Sequence, residues 1–155
     1  MQEVKQEKIE KIEYQPLRKE NNVPPRIAYK SIYFYLLITM FSFSLCLGFA
    51  VLSNFKAIAL NMSDSYLNLV VGNLAAFSNG GFRFIFGYLY DKHKFYLVYN
   101  YMLFGNVVVC LLITLMRDSQ LVFTLLVVSA AAIEGAHFSI FAPFTIESFG
   151  IKYGP

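Results

Sequence analysis

Four long apolar segments constrain the fold of this chain more than any other feature of its sequence. They cover residues 31–55, 66–90, 95–116 and 121–145. About 20 apolar residues in a helix cross a hydrocarbon layer of ~30 Å. Each segment reaches that length, so the sequence predicts an all-α, polytopic membrane protein with four transmembrane helices. A soluble bundle is the alternative, but it needs polar helix faces, and the first and third segments have almost none.

The distribution of charge predicts how the four segments are oriented. Seven of the 13 lysines and arginines fall in residues 1–30, which we interpret as a charged cytoplasmic leader or linker before a membrane domain at 31–155. With the leader in the cytoplasm, ten cations lie on that side of the membrane and two lie outside. This asymmetry is typical of a multi-pass protein with a cytoplasmic N-terminus. No segment of the sequence indicates which cellular membrane contains the protein.

Several function classes find no support in the residues. The chain contains no phosphate-binding loop, zinc-ligand spacing or nucleophile motif, and both cysteines lie inside apolar segments. A membrane enzyme would have only Glu134 and His137 as candidate catalytic groups. We therefore predict neither an enzyme nor a cofactor or metal, and we expect the lipid bilayer rather than nucleic acid as a partner.

The second apolar segment contains a single charge, Arg83. Gly72, Ala76, Asn79, Arg83 and Gly87 follow one another at spacings of three or four residues, which places them on one small and polar helix face. A guanidinium in lipid costs roughly 3 kcal/mol, and it can bind a carboxylate through two parallel hydrogen bonds. We interpret Arg83 as an anion-binding residue. The alternative is an arginine that extends to the interface or pairs structurally with another helix. Asn79 is a candidate donor in the same site, although such residues more often join two helices.

The fourth apolar segment contains a carboxyl and an imidazole one turn apart. Glu134 and His137 are spaced at i,i+3, so both can occupy one helix face. An ionised carboxylate at that depth is unfavourable, and such a pair is a candidate proton relay. The alternative is a Glu134 that hydrogen-bonds to another helix, with His137 as a packing residue.

Two stretches of the chain resemble one known family. The pattern Asn-Gly-x-x-Arg-x3-Gly-x3-Asp-Lys at 79–92 resembles the eighth helix and following loop of the major facilitator superfamily. The branch with oxalate:formate antiporters and monocarboxylate transporters is the most similar. Residues 134–143 and 149–154 resemble the tenth helix of that branch and the loop after it.

The resemblance implies a function and a set of roles. The family folds into two six-helix bundles around a central cavity, and this chain would supply helices seven to ten. Arg83 would face the substrate carboxylate, and Gly87, Asp91 and Lys92 would belong to a gating loop. The sequence departs from the family at Lys94, where that loop usually has glycine.

The four helices cannot enclose the family's cavity, so we expect either a fragment of a transporter or a chain that needs the missing helices from a partner subunit. The resemblance thus implies that the chain is part of a secondary transporter for small organic anions of the monocarboxylate or oxalate type, which works by alternating access. Proton coupling or anion exchange would drive it. The alternative is a small four-span accessory or scaffold protein without transport activity.

Overall fold

The structure, a computed structural model, describes residues 23–150 and consists of helices joined by short loops. The helices in chain order are α1 (Pro25–Ala28), α2 (Ile32–Ile58), α3 (Asp64–Lys92), α4 (Phe95–Leu115) and α5 (Gln120–Phe149). The last four are long and apolar enough to cross a membrane. The predicted all-α, multi-pass fold class is thus confirmed. Most of the predicted leader and the end of the second family-like stretch lie outside the described residues.

The ends of the helices follow from local sequence. Pro25 occupies the first position of the short helix α1, where its missing N–H costs nothing. The Ser63 hydroxyl accepts a hydrogen bond from the Tyr66 backbone N–H at 3.3 Å, which caps α3. Helix α5 continues four residues past the predicted end and stops at Gly150, whose φ of 89° lies in the left-handed region.

Helix α3 changes its winding near its beginning. Residues Leu67–Gly72 form a π-helical segment, and the α-helix resumes over Asn73–Lys92. Within the segment Leu67 and Val71 are buried in an apolar cluster that also contains Val51 of α2 and Val127 of α5. A π-helical turn contains an extra residue, which rotates all the following side chains about the helix axis. The segment therefore sets which α3 side chains meet α5.

Helix α5 is the central helix, because α2, α3 and α4 all pack against it. Its buried side is rich in small residues, notably Ala130–Ala132, Gly135 and Ala136. Small side chains let helices approach closely in a membrane, where association depends on packing and hydrogen bonds. A helix that is apolar on all sides also suits the interior of a bundle.

The surface of the bundle is apolar and its interior contains polar groups. Phe84, Phe77 and Tyr33 are 83%, 81% and 75% exposed, which suits contact with acyl chains rather than with water. Within residues 23–150 the buried polar side chains are those of Ser44, Ser78, Asn106, Thr124, Glu134 and His137. Polar groups inside membrane helices are costly and mark functional sites by default.

Candidate functional site

A row of close contacts joins α3 to α5. The Ser78 hydroxyl donates to the Val128 carbonyl at 3.0 Å, and the Asn79 side-chain amide donates to the Ala131 carbonyl at 3.1 Å. One turn further along α5, Gly135 lies directly against the Asn79 backbone carbonyl. Two side-chain hydrogen bonds and a glycine contact therefore fix the register of the two helices.

Arg83 lies next to this row and is exposed at the surface of the four helices. Its Nη2 donates to the Asn79 Oδ1 at 2.9 Å, and its Cζ lies 5.4 Å from the centre of the Phe138 ring. Within residues 23–150 the guanidinium has no acidic partner. The Asn79 side chain thus donates a hydrogen bond to α5 through its nitrogen and accepts one from Arg83 through its oxygen. The other N–H groups of the guanidinium remain available for a ligand.

The surroundings of Arg83 form an open face shared by three helices. Phe138 of α5 lies between Arg83 of α3 and Phe41 of α2, whose ring centre is 6.3 Å from that of Phe138. Phe138 is 43% exposed, and α2 makes little direct contact with residues Asn73–Lys92. The exposed Phe138 ring and the exposed guanidinium thus lie side by side on one face, where a small anion could bind.

A second polar cluster lies near the midpoint of the helices and is buried. The Nδ1 of His137 is 2.7 Å from the Ile133 carbonyl oxygen, and its Nε2 is hydrogen-bonded to the Ser44 hydroxyl of α2. The Asn106 amide of α4 donates to the Ser44 carbonyl at 3.4 Å. His137 is fully buried. The cluster therefore connects α2, α4 and α5 at one level.

Tyr99 completes this cluster on the α4 side. Its hydroxyl donates to the Met40 carbonyl at 3.0 Å, and its ring stands at 87° to the His137 ring with centres 6.3 Å apart. Phe141 packs against both rings. These aromatic contacts close the cluster and keep the imidazole in a fixed orientation.

Glu134 lies one turn before His137 and also faces α2. It is only 2% exposed, and neither carboxyl oxygen has a hydrogen-bond partner within the described part of the chain. The carboxyl group packs directly against Gly48, where any side chain would meet it. A buried carboxyl without a partner is costly, so its retention at this depth calls for a functional reason.

The predicted gating residues Gly87, Asp91 and Lys92 all lie in α3, so the local structure differs from the predicted loop. Helix α3 continues through Asp91 and Lys92, and only His93 and Lys94 form the connection to α4. The two extra helical residues are favoured because a lysine suits a helix C-terminus and because the Lys92 Nζ lies 4.5 Å from the Tyr88 ring centre, one turn earlier. The gating role stays a prediction.

The structure brings together some predicted residues and adds others. Asn79 with Arg83 forms one site, and Glu134 with His137 forms part of another. Sequence reasoning missed four residues in the second cluster: Ser44, Gly48, Tyr99 and Asn106. The available signal was a serine and a glycine four residues apart in the first apolar segment and an asparagine near the middle of the third.

No protein-family model matches this chain, and comparison with curated proteins and with solved structures likewise gives no match.

Proposed function

We propose that this chain is part of a secondary transporter for small organic anions of the monocarboxylate or oxalate type, and that Arg83 binds the substrate carboxylate. The observation that carries the proposal is the exposed guanidinium of Arg83, held by Asn79 at an open face and without an acidic partner in residues 23–150. Arg83 is nine residues before Lys92, the nearer end of α3, which is about 13 Å along the helix axis. An uncompensated cation at that depth is expensive in lipid, and a bound anion would offset the cost.

The guanidinium suits a carboxylate in its geometry as well as in its charge. Its planar set of N–H donors can make two parallel bonds to the two oxygens of a carboxylate. One nitrogen, Nη2, is already oriented by Asn79. The exposed Phe138 ring would contact the apolar part of a small monocarboxylate.

Protons are the coupling ion that the second cluster supports. Glu134 and His137 are the two titratable side chains buried in the middle of α5. Titratable groups in the interior of membrane helices form proton pathways in pumps and transporters. With the anion site on one side of α5 and these groups on another, a single helix would connect anion binding to proton binding.

Uptake of labelled carboxylates into liposomes tests the proposal. The protein would be purified together with any subunit it binds, and acetate, lactate and oxalate would be offered with and without an inward proton gradient. We expect uptake of at least one carboxylate above the level of empty liposomes and stimulation by the gradient. Uptake that never exceeds the empty-liposome level would contradict the proposal.

Glu134→Gln is expected to uncouple uptake from the proton gradient. The amide keeps the size of the side chain but cannot bind and release a proton, so the stimulation by an inward gradient should disappear while exchange of anions continues. Glu147→Gln is the matched control, because Glu147 is exposed near the end of the same helix. An unchanged response to pH in Glu134→Gln would count against the coupling role.

The alternative function, a four-span accessory or scaffold protein, is favoured by one feature of α3. Gly80, Gly81 and Gly87 have open space where a side chain would be, and small residues of this kind let another helix approach closely. In that case Arg83 would hold a partner helix rather than a substrate. Isolation of the protein with a second membrane protein, lost in Arg83→Gln, together with absence of carboxylate uptake, would favour this alternative.

A further inference from the structure

We infer that Ser44 of α2 is a positioning residue for His137, which is held as the neutral Nδ1–H imidazole with Nε2 as the atom that takes up a proton. The inference adds a residue to the coupling site of the proposed function and rests on that function for its role in transport. Its structural part is independent of transport, because it concerns the state of one buried side chain.

The protonation of Nδ1 follows from its hydrogen-bond partner. A backbone carbonyl oxygen can only accept a hydrogen bond, and the Ile133 carbonyl lies 2.7 Å from Nδ1. Nδ1 therefore carries a hydrogen in every state in which this contact exists. A neutral imidazole has one N–H, so we assign Nε2 as its acceptor atom.

The donor to Nε2 is the Ser44 hydroxyl, which also lies within hydrogen-bonding reach of the Tyr99 hydroxyl. The Asn106 amide bonds to the Ser44 carbonyl rather than to its hydroxyl, and the Tyr99 hydroxyl bonds to Met40. Ser44 is 2% exposed, so water does not compete at this position. The serine hydroxyl thus donates to Nε2 in the neutral state, and it becomes the acceptor when Nε2 takes up a proton, since a hydroxyl can do both.

The charged and titratable groups near His137 come from three helices. Glu134 lies one turn away on α5, Tyr99 faces the ring from α4, and Arg83 of α3 lies on the far side of Phe138. Helix α2 contributes no charged residue between positions 32 and 55. The only polar contact of Nε2 within residues 23–150 is therefore Ser44.

Both buried titratable groups of α5 face the same side of α2. Ser44 meets His137 and Gly48 meets Glu134, as expected for two antiparallel helices whose contact residues are four and three positions apart. Proton uptake at Nε2 reverses the direction of the Ser44 hydrogen bond, and a charge on Glu134 acts on the adjacent turn. The α2–α5 contact is thus the place where the proton state of the site would be converted into helix movement.

Nitrogen NMR of protein labelled with ¹⁵N in histidine tests this inference directly. The chain has two histidines, and the exposed His93 provides a reference whose signals are assigned with His93→Gln. At neutral pH we expect His137 to show a protonated Nδ1 and an Nε2 that accepts a hydrogen bond. A protonated Nε2 with a bare Nδ1, or an imidazolium, at neutral pH would overturn the inference.

Ser44 variants separate positioning from simple packing. In Ser44→Ala the Nε2 signal should move to that of a nitrogen without a donor, and the proton-binding constant of His137 should fall about fivefold, because a hydrogen bond to the charged ring is stronger than one to the neutral ring. Ser44→Thr retains the hydroxyl and should restore both values. Ser42→Ala, at an exposed position of α2, should change neither. Identical spectra in wild type and Ser44→Ala would exclude the role of Ser44.

The two proposals fail separately. The spectra do not require transport, so the expected His137 signals without carboxylate uptake would leave this inference in place and remove the proposed function. Carboxylate uptake by a protein whose His137 has a protonated Nε2 and a bare Nδ1 would support the proposed function and overturn this inference. Uptake whose dependence on pH changes in Ser44→Ala and is restored in Ser44→Thr would support both.

Discussion

Replacement of Arg83 by lysine is expected to abolish carboxylate uptake although it retains the positive charge. The guanidinium offers several coplanar N–H donors, of which one is used by Asn79, and the rest can bind both oxygens of a carboxylate at once. A lysine amine is a single point of charge that cannot bond to Asn79 and to a carboxylate in the same geometry. Loss of one charge-assisted hydrogen bond of about 2–3 kcal/mol lowers binding by roughly 30- to 150-fold.

The measurement is uptake into liposomes at a fixed substrate concentration below saturation. Arg117→Lys is the matched control, since it makes the same chemical change at an exposed position beyond the end of α4, and it should retain full uptake. Size-exclusion profiles of the two variants show whether each is folded. Unimpaired uptake in a folded Arg83→Lys variant would remove the anion-binding role of Arg83.

The arrangement of the helices along the chain could be predicted from composition alone, but their arrangement in space could not. Segment length and the absence of charge identify four helices because a bilayer imposes both. Helix α5 is central because the other helices can approach it closely. The run of small residues at Ala130–Ala132 and Gly135 indicates close approach of another helix, but it does not identify which helix packs there.

Contacts within one helix were predictable, whereas those between helices were not. Asn79 and Arg83 are four residues apart, and Glu134 and His137 are three apart, so the helical repeat alone places each pair on one face. The bond between Ser44 and His137 joins residues 93 positions apart. Its register depends on how α2 and α5 pack against each other, and no local pattern contains that information.

The second large effect is expected for Gly135→Ala, which should destabilise the bundle by loosening α3 from α5. A Cβ atom at position 135 would lie 2.9 Å from the carbonyl carbon and 3.1 Å from the Cα of Asn79. These are backbone atoms, so they cannot rotate away, and the helices have to separate. Excess volume in a packed interface costs about 1–3 kcal/mol. The hydrogen bonds that Ser78 and Asn79 make to α5 would weaken as well, at roughly 0.6 kcal/mol each.

Unfolding of the purified protein in mixed detergent measures this effect, and Gly80→Ala is the control. Gly80 lies on α3, where an added Cβ meets no atom of another helix within 4 Å, so the same substitution there should be neutral or slightly stabilising, as alanine is the better helix former. Because Asn79 also holds the Arg83 guanidinium, Gly135→Ala should reduce carboxylate uptake together with stability, while Gly80→Ala should reduce neither. Equal stability of the two variants would contradict the close approach of α3 and α5, and with it the contact that positions Arg83.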